Sequence, residues 1–345
     1  MNGELGELSK HYEVLGELHR GGMGAVFKVR HRHLDQLRVI KVIRAELQGD
    51  PEMHERFVRE AKLATQIQHR HIARFFDFTI DENGTAFMVL EFIAGCNLKQ
   101  FFNDAGGILA PDLVRDLSVQ GLTALAHFHS RQLVHRDISP ENLMATKGYS
   151  GDLLVKLIDF GIAKHLASET HLTRTGLFMG KVLYASPEQF GGAENVDARG
   201  DLYSFGIMMY ELLTGKVPFH GSQVDVLSGH LQKEPPPFSE TDPEGRIPED
   251  LRAIVLKTLQ KSPDDRYQTA DEMVELLSDL DLEGSAESQT AINGLSARVE
   301  EESTVPPAST EAATIGFESS TEAMPSSTSA GTVGSEPSSR LSNTV

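Results

Sequence analysis

The hydrophobic pattern of the chain changes from strand-like to helical near residue 95, and this change limits the folds that the chain can form. The preceding part contains short β-branched and apolar runs separated by glycines or polar turns, which is typical of strands. These runs are residues 12–20, 25–31 and 36–44, followed by residues 74–80 and 85–93 on either side of Asn83-Gly84. An Asn-Gly pair between two apolar runs favours a β-hairpin. One helix is predicted among the strands, starting at Asp50-Pro51-Glu52, because Asp is a good cap and Pro a good first helical residue.

The apolar residues of the second part recur at helical spacing. One helix face is marked by Leu113, Leu117, Gly121, Leu125 and Phe128, and residues 202–213 form an almost wholly apolar run. Residues 250–259 and 270–280 predict two more helices, the second with Thr269 as its cap. A small β-rich lobe therefore precedes a larger α-helical lobe, and such a layout often holds its site in the cleft between the lobes.

The composition changes a second time near residue 282. From Ser285 to Val345, 22 of 61 residues are Ser or Thr, and no hydrophobic period is sustained. Such a segment buries too little apolar surface to offset the entropy of ordering, so disorder is predicted. The predicted organisation is an N-terminal extension (1–11), an N-lobe (12–93) and a C-lobe (94–281) in one folded unit, and a disordered, acidic, Ser/Thr-rich tail (282–345).

The bulk composition narrows the expected partners and compartment. A net charge of −18 disfavours nucleic acid or an anionic membrane as the main partner. The acidic N-terminus lacks the apolar core of a signal peptide, and no segment approaches the ~20 apolar residues of a membrane helix. The single cysteine, Cys96, excludes an intrachain disulfide and fits a reducing compartment. The expected location is the cytoplasm.

Short motifs follow one another in a fixed order. Glycines in HRGGMGAVF (19–27) separate two predicted strands, Lys41 lies in the next strand, and Glu60 lies on the predicted helix. The later motifs are HRDISPEN (135–142), IDFGIAK (158–164), YASPEQF (184–190) and DLYSFG (201–206). Each motif is weak alone, but the ordered set resembles the eukaryotic-like (Hanks-type) serine/threonine protein kinases of bacteria. The resemblance implies an α+β, bilobal protein kinase fold.

The same resemblance implies a cleft that binds ATP with Mg²⁺, or with Mn²⁺ in its place. Lys41, oriented by Glu60, would hold the α- and β-phosphates, and Asp159 and Asn142 would hold the metal. Asp137 would orient the substrate hydroxyl and accept its proton. Leu90 would precede the hinge, where backbone groups of Glu91 and Ile93 would bind adenine. The other nucleotide contacts would come from Leu18, Gly21, Gly22, Gly24 and Val26.

The segment between Asp159 and Glu188 would be the activation segment. Its Thr173 and Thr175 match the paired threonines that bacterial relatives autophosphorylate, and a phosphate there would lie close to Arg136. Two contacts in this region are expected to be structural, namely Glu188 with Arg266, and Asp201 with the backbone of the catalytic loop.

Three positions depart from the family pattern. His19 replaces the first glycine of the loop, which is expected to weaken or reshape the contact with ATP without abolishing it. Ser139 replaces a lysine that contacts the γ-phosphate, and Lys181 replaces a threonine that contacts the catalytic loop. The hydroxyl and the ammonium have thus exchanged places, and a lysine stem of about 6 Å can span two adjacent loops. The prediction is that this exchange preserves catalysis.

The predicted function is therefore an active serine/threonine protein kinase that uses MgATP, autophosphorylates and modifies a protein substrate. The alternative is a pseudokinase scaffold that binds nucleotide with little or no turnover, which the three departures support. A third interpretation is a small-molecule kinase, but the intact segment from residue 159 to 188 disfavours it. The missing lysine alone does not decide between Ser/Thr and Tyr specificity. Other expected partners are a phosphothreonine-binding protein, acting on the loop or tail, and a transient homodimer for activation in trans.

Overall fold

The computed structural model describes residues 2–21, 24–43, 58–59, 61–82, 84–159, 182–191 and 196–303. Met1–Val305 form one unit, and the second unit, Pro306–Val345, lies outside the described residues. The predicted features that also lie outside them are the helix start at Asp50-Pro51-Glu52, Asn83, Gly22, Glu60, Thr173, Thr175 and Lys181.

The small lobe is a five-stranded antiparallel sheet in the order β1-β2-β3-β5-β4. Its strands are β1 (Tyr12–Gly21), β2 (Gly24–His31), β3 (Gln36–Ile43), β4 (Phe75–Ile80) and β5 (Ala86–Glu91). The five predicted strands are thus confirmed, and β4 pairs with β5 as the predicted hairpin. Because side chains alternate along a strand, the paired residues Val26 and Lys41 lie on the opposite face from Phe27 and Ile40.

The N-terminal segment covers the outer face of this sheet. Asn2–Lys10 form a 3₁₀ helix, in which Leu5 is fully buried and Leu8 is nearly so. Both leucines pack in one cluster with Phe27, Ile40 and other outward-facing residues of the sheet. The extension predicted over residues 1–11 is therefore part of the small lobe.

The large lobe consists of helices around one central helix, with a small three-stranded sheet. The sheet contains β6 (Cys96–Asn97), β7 (Leu143–Lys147) and β8 (Leu153–Leu157), in that order. The helices are α1 (Leu98–Asp104), α2 (Pro111–His129), α3 (Ala198–Thr214), α4 (Gln223–Gln232), α5 (Phe238–Thr241), α6 (Glu249–Thr258), α7 (Ala270–Ser278) and α8 (Ala286–Ser303). The four helices predicted in this lobe and the α+β, two-lobed fold are confirmed. None of the helices described has the length and apolar content that crossing a membrane requires.

Helix α3 is the centre of the large lobe, because every residue from Gly200 to Thr214 is buried. Two glycines allow neighbouring elements to approach closely. A Cβ on Gly206 would lie 2.8 Å from the Thr258 side chain, and one on Gly121 of α2 would lie 2.9 Å from Phe205 of α3. These contacts hold α3 against its neighbours, and the first turn of the same helix supplies Asp201 of the candidate site.

Backbone hydrogen bonds tie the two lobes together beside β8. Leu157 N donates to His71 O at 2.8 Å, and Ala73 N donates to Leu157 O at 2.9 Å. The His71 ring adds a hydrogen bond between Nδ1 and Val155 O at 2.9 Å. Burial lowers the pKa of His71, so this ring is neutral at pH 7 and the bond needs no counter-charge. The residues that follow β8 are thereby held beside the small lobe.

The structure corrects the predicted start of the disordered tail. Ala286–Ser303 form helix α8, whose Leu295 is only 5% exposed. Ile292 and Val299 pack against the same core, so the helix has a narrow apolar stripe that the Ser/Thr count concealed. Residues 304–345 lie outside the described part of the chain.

Polar contacts fix both ends of α8. At the start, Ser285 N donates to Asp112 Oδ2 at 3.0 Å. Near the end, Gly95 N donates to Glu302 Oε2 at 3.0 Å, and Arg298 pairs with Asp104 at 3.3 Å. Tertiary contacts of this kind order a helix that its own propensity would not stabilise.

The packing of α8 predicts a clear difference between two adjacent substitutions. Leu295→Ala removes a buried side chain and should lower the free energy of unfolding by about 2 kcal/mol. Gly294→Ala is the matched control, since a Cβ there meets nothing within 4 Å. It should leave stability unchanged or raise it by roughly 0.5 kcal/mol. Urea denaturation measures both, and equal midpoints for wild type and Leu295→Ala would contradict the packing of this helix.

Candidate active site

A buried carboxylate fixes the backbone of the loop that carries Asp137. Asp201, in the first turn of α3, is only 1% exposed. Its Oδ2 accepts from His135 N at 2.7 Å and lies 2.8 Å from His129 Nε2, while its Oδ1 accepts from Arg136 N at 2.7 Å. Burial alone would raise the pKa of Asp201, but the bonds with His129 and His135 hold it below its usual value. The carboxylate therefore stays charged and continues to accept these bonds.

The backbone of Arg136 has an uncommon conformation. Its φ of 60° lies in the left-handed region, which costs a residue with a Cβ on the order of 1 kcal/mol. Besides the bond to Asp201, Gln189 Nε2 donates to Arg136 O at 3.0 Å. The loop is thus held from two sides in a conformation that its sequence alone would not favour.

Asp137 is oriented by Asn142, which lies five residues later. Asn142 Nδ2 donates to Asp137 Oδ2 at 2.7 Å and to Asp137 O at 2.6 Å. The 3₁₀ turn Pro140–Asn142 brings the amide back toward the aspartate. Ile158 N donates to Asn142 O at 2.8 Å, so the residue before Asp159 lies against the same loop.

Lys41 and Asp159 form an ion pair across the cleft. Lys41 Nζ lies 2.6 Å from both carboxylate oxygens, and the two side chains are 21% and 30% exposed. The sequence predicts Glu60 as the partner of Lys41, and Glu60 lies outside the described residues. Asp159 also has a left-handed backbone, with φ 64°. A half-buried pair of opposite charges is favourable where no other ion neutralises either group.

The side chains present fit a hard divalent cation. The Asn142 nitrogen is engaged with Asp137, which leaves its amide oxygen as the atom able to bind a metal. The Asp159 carboxylate lies one residue beyond Ile158, which is bonded to Asn142. Two protein oxygens leave most of the six positions around Mg²⁺ to phosphate oxygens and water, as is usual for nucleotide sites.

The glycine loop is formed by the ends of β1 and β2. Gly21 pairs with Gly24, and Gly22 lies outside the described residues. Gly24 has φ 153°, and a Cβ on it would lie 1.8 Å from Val42 O, so the position requires glycine. A Cβ on Gly21 would lie 3.3 Å from His19 Nε2, so the imidazole lies beside the backbone of the loop. Among the other predicted nucleotide contacts, Leu18 lies exposed on β1.

The predicted hinge follows β5. The Glu91 carboxylate accepts from Lys156 Nζ at 2.8 Å and from Arg74 N at 3.0 Å, so its side chain is used to hold the fold. Leu90 is buried before it. Within the described part of the chain, the Ile93 N–H makes no hydrogen bond. That donor therefore remains for a ligand beside the hinge.

The segment 182–191 lies against the catalytic loop, and side chains of the large lobe hold it in place. Arg266 Nη1 and Nη2 lie 2.8 and 2.9 Å from the two Glu188 oxygens. Tyr184 donates to Glu211 Oε2 at 2.6 Å. Burial, with Glu211 beside it, raises the pKa of Tyr184, so the phenol keeps its proton.

Ser139 lies two residues after Asp137, at the start of the 3₁₀ turn, and is half-buried. Its hydroxyl makes no hydrogen bond with any described residue and does not cap the turn. Its predicted partner, Lys181, is adjacent to Val182, the first described residue of the next segment.

Sequence reasoning missed three residues that hold the site together. They are His129, Lys156 and Gln189, which bond Asp201, Glu91 and Arg136 respectively. Each of the three lies within or beside a segment that the sequence analysis identified. The sequence spacing between residues does not show which residue each of them contacts. The contacts span 53 to 72 residues of chain, and only the tertiary fold brings such positions together.

The chain is similar to known protein kinases in both sequence and fold. The family model "Protein kinase domain" matches residues 12–276. Serine/threonine-protein kinase pkn3 of Myxococcus xanthus is 38% identical over 264 residues, which cover 75% of this chain and 48% of that protein. PknB of Mycobacterium leprae is 38% identical over 270 residues (77% and 42%), and PrkC of Bacillus subtilis is 36% identical over 267 residues (77% and 40%). The chain spans less than half the length of these relatives.

Solved structures of the same fold include kinases from different sources. Rad53 1–466 in complex with AMP-PNP has a TM-score of 0.63 and 26% identity, covering 77% of this chain and 64% of that one. The PknI kinase domain of Mycobacterium tuberculosis has a TM-score of 0.59 and 26% identity, covering 78% and 96%. With a family model that matches most of its length, the chain belongs to the protein kinase family.

Proposed function

We propose that this chain is a serine/threonine protein kinase that transfers the γ-phosphate of ATP to hydroxyl groups of proteins. The observation that carries the proposal is the convergence of two polar pairs: Asn142 with Asp137 at 2.7 Å, and Lys41 with Asp159 at 2.6 Å. The likeness to relatives named serine/threonine-protein kinases, and to a Rad53 structure containing AMP-PNP, supports the same reaction and nucleotide.

The reaction needs positioned groups more than covalent chemistry. Asn142 holds the Asp137 carboxylate so that it can accept the proton of a substrate hydroxyl. Lys41, which pairs with Asp159 here, would hold the α- and β-phosphates once Asp159 serves as a metal ligand. Mg²⁺, bound through Asp159 and Asn142, would neutralise charge on the phosphates. The ion pair thus holds Lys41 and Asp159 close to the positions in which they would bind the phosphates and the metal.

Replacing Asp137 tests this function. Asp137→Asn keeps the size of the side chain but removes the proton acceptor, so phosphate transfer should fall by roughly 100-fold or more. Transfer of ³²P from MgATP to myelin basic protein measures the loss, and thermal unfolding should show an unchanged midpoint. The matched control is Asp116→Asn on the exposed side of α2, where Arg115 is the one partner of the carboxylate among the described residues. Nucleotide binding without any transfer by the wild type would favour the pseudokinase scaffold.

The second part of the proposal is that Lys181 replaces the missing loop lysine and Ser139 replaces the missing threonine. Three observations support it. The Ser139 hydroxyl has no hydrogen bond among the described residues. Gln189 ties the segment that follows Lys181 to Arg136 O at 3.0 Å. Glu141 of the catalytic loop is close enough to Tyr184 to help raise its pKa. The catalytic loop and the segment 182–191 are therefore neighbours, and a lysine stem of about 6 Å would span two loops that lie side by side.

Two variants distinguish a functional exchange between Ser139 and Lys181 from two unrelated substitutions in an inactive kinase. Lys181→Ala should lose nearly all autophosphorylation, because the transferred phosphoryl group loses a cation. Ser139→Lys combined with Lys181→Thr restores the family arrangement and should regain part of the activity. Lys233→Ala, an exposed lysine after α4, is the control and should keep full activity. Full activity in Lys181→Ala would show that the exchange has no role in catalysis.

The third part is that Thr173 and Thr175 are autophosphorylated. The supporting observation is that Nε and Nη1 of Arg136 are buried without a hydrogen-bond partner among the described residues. A phosphate on the loop would supply acceptor oxygens and about two negative charges to this guanidinium. Such phosphothreonines, or others in the tail, would also offer a docking site to a phosphothreonine-binding protein.

Phosphosite mapping after incubation with MgATP should find phosphate on Thr173 and Thr175. The double variant Thr173→Ala with Thr175→Ala should lose most activity toward myelin basic protein, whereas Thr170→Ala in the same segment should not. If modification occurs in trans through transient dimers, the initial rate per molecule should rise with protein concentration. Full activity without any loop phosphate would contradict this part of the proposal.

A further inference from the structure

Helix α8 ends beside the predicted hinge, although it lies outside the part of the chain that the family model matches. That match ends at residue 276, and α8 comprises Ala286–Ser303. Leu295, in the middle of the helix, is buried in the core of the large lobe. In the last turn, Glu302 Oε2 accepts a hydrogen bond from Gly95 N at 3.0 Å. A helix after the matched domain thus contacts the backbone two residues beyond Ile93.

The predicted hinge is a short stretch of backbone between two fixed ends. At one end, the N–H of Glu91, the last residue of β5, donates to Arg74 O at 2.9 Å. At the other end, the pairing of β6 with β7 begins only at Cys96. Gly95 joins residues 92–94 to this strand pair, so the position of its amide decides where the hinge backbone enters the large lobe.

Gly95 has a backbone conformation that suits glycine and no other residue. Its φ is 131°, and a Cβ at this position would lie 2.2 Å from Ala145 O. The chain therefore passes close to β7 here, and it has no side chain of its own to restrict the backbone. A glycine backbone has more conformational freedom than any other residue. The hydrogen bond from Gly95 N to Glu302 removes part of that freedom where the hinge ends.

The Glu302 carboxylate is itself held in place by Arg298, one helical turn earlier. Arg298 Nε donates to Glu302 Oε1 at 3.3 Å, and Nη1 of the same guanidinium lies 3.3 Å from Asp104 Oδ2 on α1. Residues 300–302 are all acidic, at the end of the helix where the helix dipole disfavours negative charge. For Glu302, the guanidinium of Arg298 and the amide of Gly95 offset that cost, so the carboxylate stays directed at the hinge.

We propose that Glu302 is a positioning residue for the adenine of ATP, acting through the amide of Gly95 on the hinge. The role rests on the proposed function, in which the hinge backbone binds adenine. With Gly95 fixed, the N–H of Ile93 keeps one place in the cleft, and the hinge loses less freedom when adenine binds. The protein substrate does not depend on this contact, because Asp137 and the segment 182–191 lie on other elements. Nucleotide affinity thus depends on a helix outside the matched domain.

Two substitutions at Glu302 test the hydrogen bond to the hinge. Glu302→Ala removes the acceptor, whereas Glu302→Gln keeps a side-chain oxygen at the same reach and loses only the charge. Glu302→Ala should raise the Kd for ADP, measured by calorimetry, and the KM for ATP roughly fivefold. Its kcat and its KM for myelin basic protein should change less than about twofold, because only ground-state binding of the nucleotide is weakened. Glu302→Gln should stay within about twofold of the wild type in each of these values.

The matched control lies at the same end of the helix. Glu300→Ala removes an exposed carboxylate that pairs with Lys147 of β7 at 3.1 Å, and it should leave the Kd for ADP within about twofold of the wild type. Inorganic tripolyphosphate has no adenine, so its affinity, measured by competition with ADP, should be the same in Glu302→Ala and the wild type. Amide hydrogen exchange over residues 92–97 should become faster in Glu302→Ala but not in Glu300→Ala, and this readout needs no activity.

The outcomes distinguish this role from the kinase activity. Unchanged affinity for ADP in Glu302→Ala, whatever the exchange rates, would show that the contact only packs α8. A loss of affinity as large in Glu302→Gln or Glu300→Ala, or weaker binding of tripolyphosphate, would overturn the role as well. A wild type that binds ADP but transfers no phosphate would refute the proposed activity, while the same comparison of Kd values would still decide the role of Glu302. A wild type that binds no ADP would refute both.

Discussion

The buried carboxylate of Asp201 is the interaction on which the site depends. It accepts hydrogen bonds from two consecutive backbone amides and contacts His129, while it is almost completely removed from water. An unpaired charge at such a position would cost several kcal/mol, so the loop and the carboxylate stabilise each other only together. This arrangement holds the left-handed backbone of Arg136, and Asn142 then orients the Asp137 carboxylate. Asp201 in turn has its position because α3 is buried all round and packs closely through Gly206.

The second constraint is the junction between the lobes. Bonds between His71, Ala73 and β8 hold the strand that ends before Asp159 against the small lobe. Lys41 reaches Asp159 from β3, on the face of the sheet opposite to the one that the N-terminal segment covers. Lys41, which is proposed to hold phosphate, thus comes from the small lobe, whereas Asp159 and Asn142, which are proposed to hold the metal, come from the large lobe. A movement of one lobe relative to the other would change the distance between Lys41 and Asp159, and with it the geometry of the proposed nucleotide site.

The sequence predicted most of the local structure because local rules were sufficient for it. Alternation of apolar residues gave the five strands of the small lobe, and helical periodicity with a Thr269 cap gave the later helices. The prediction was incomplete at α8, where a count of Ser and Thr outweighed a stripe formed by Ile292, Leu295 and Val299. A narrow stripe is a weak signal in the sequence, and it becomes stabilising only when a complementary surface, here α1 and β7, lies opposite.

The sequence by itself determined which chemical groups are present and in what order: the glycines of the loop, Lys41, Asp137, Asn142 and Asp159. That order was enough to indicate a two-lobed kinase fold, because such a set rarely recurs by chance. Only the tertiary structure decided which of these groups touch, as in the pairing of Lys41 with Asp159 across 118 residues. It also decided which residues Gln189, Lys156 and His129 bond, since their partners are distant in the chain. Periodicity records which side of an element is buried, but not what it is buried against.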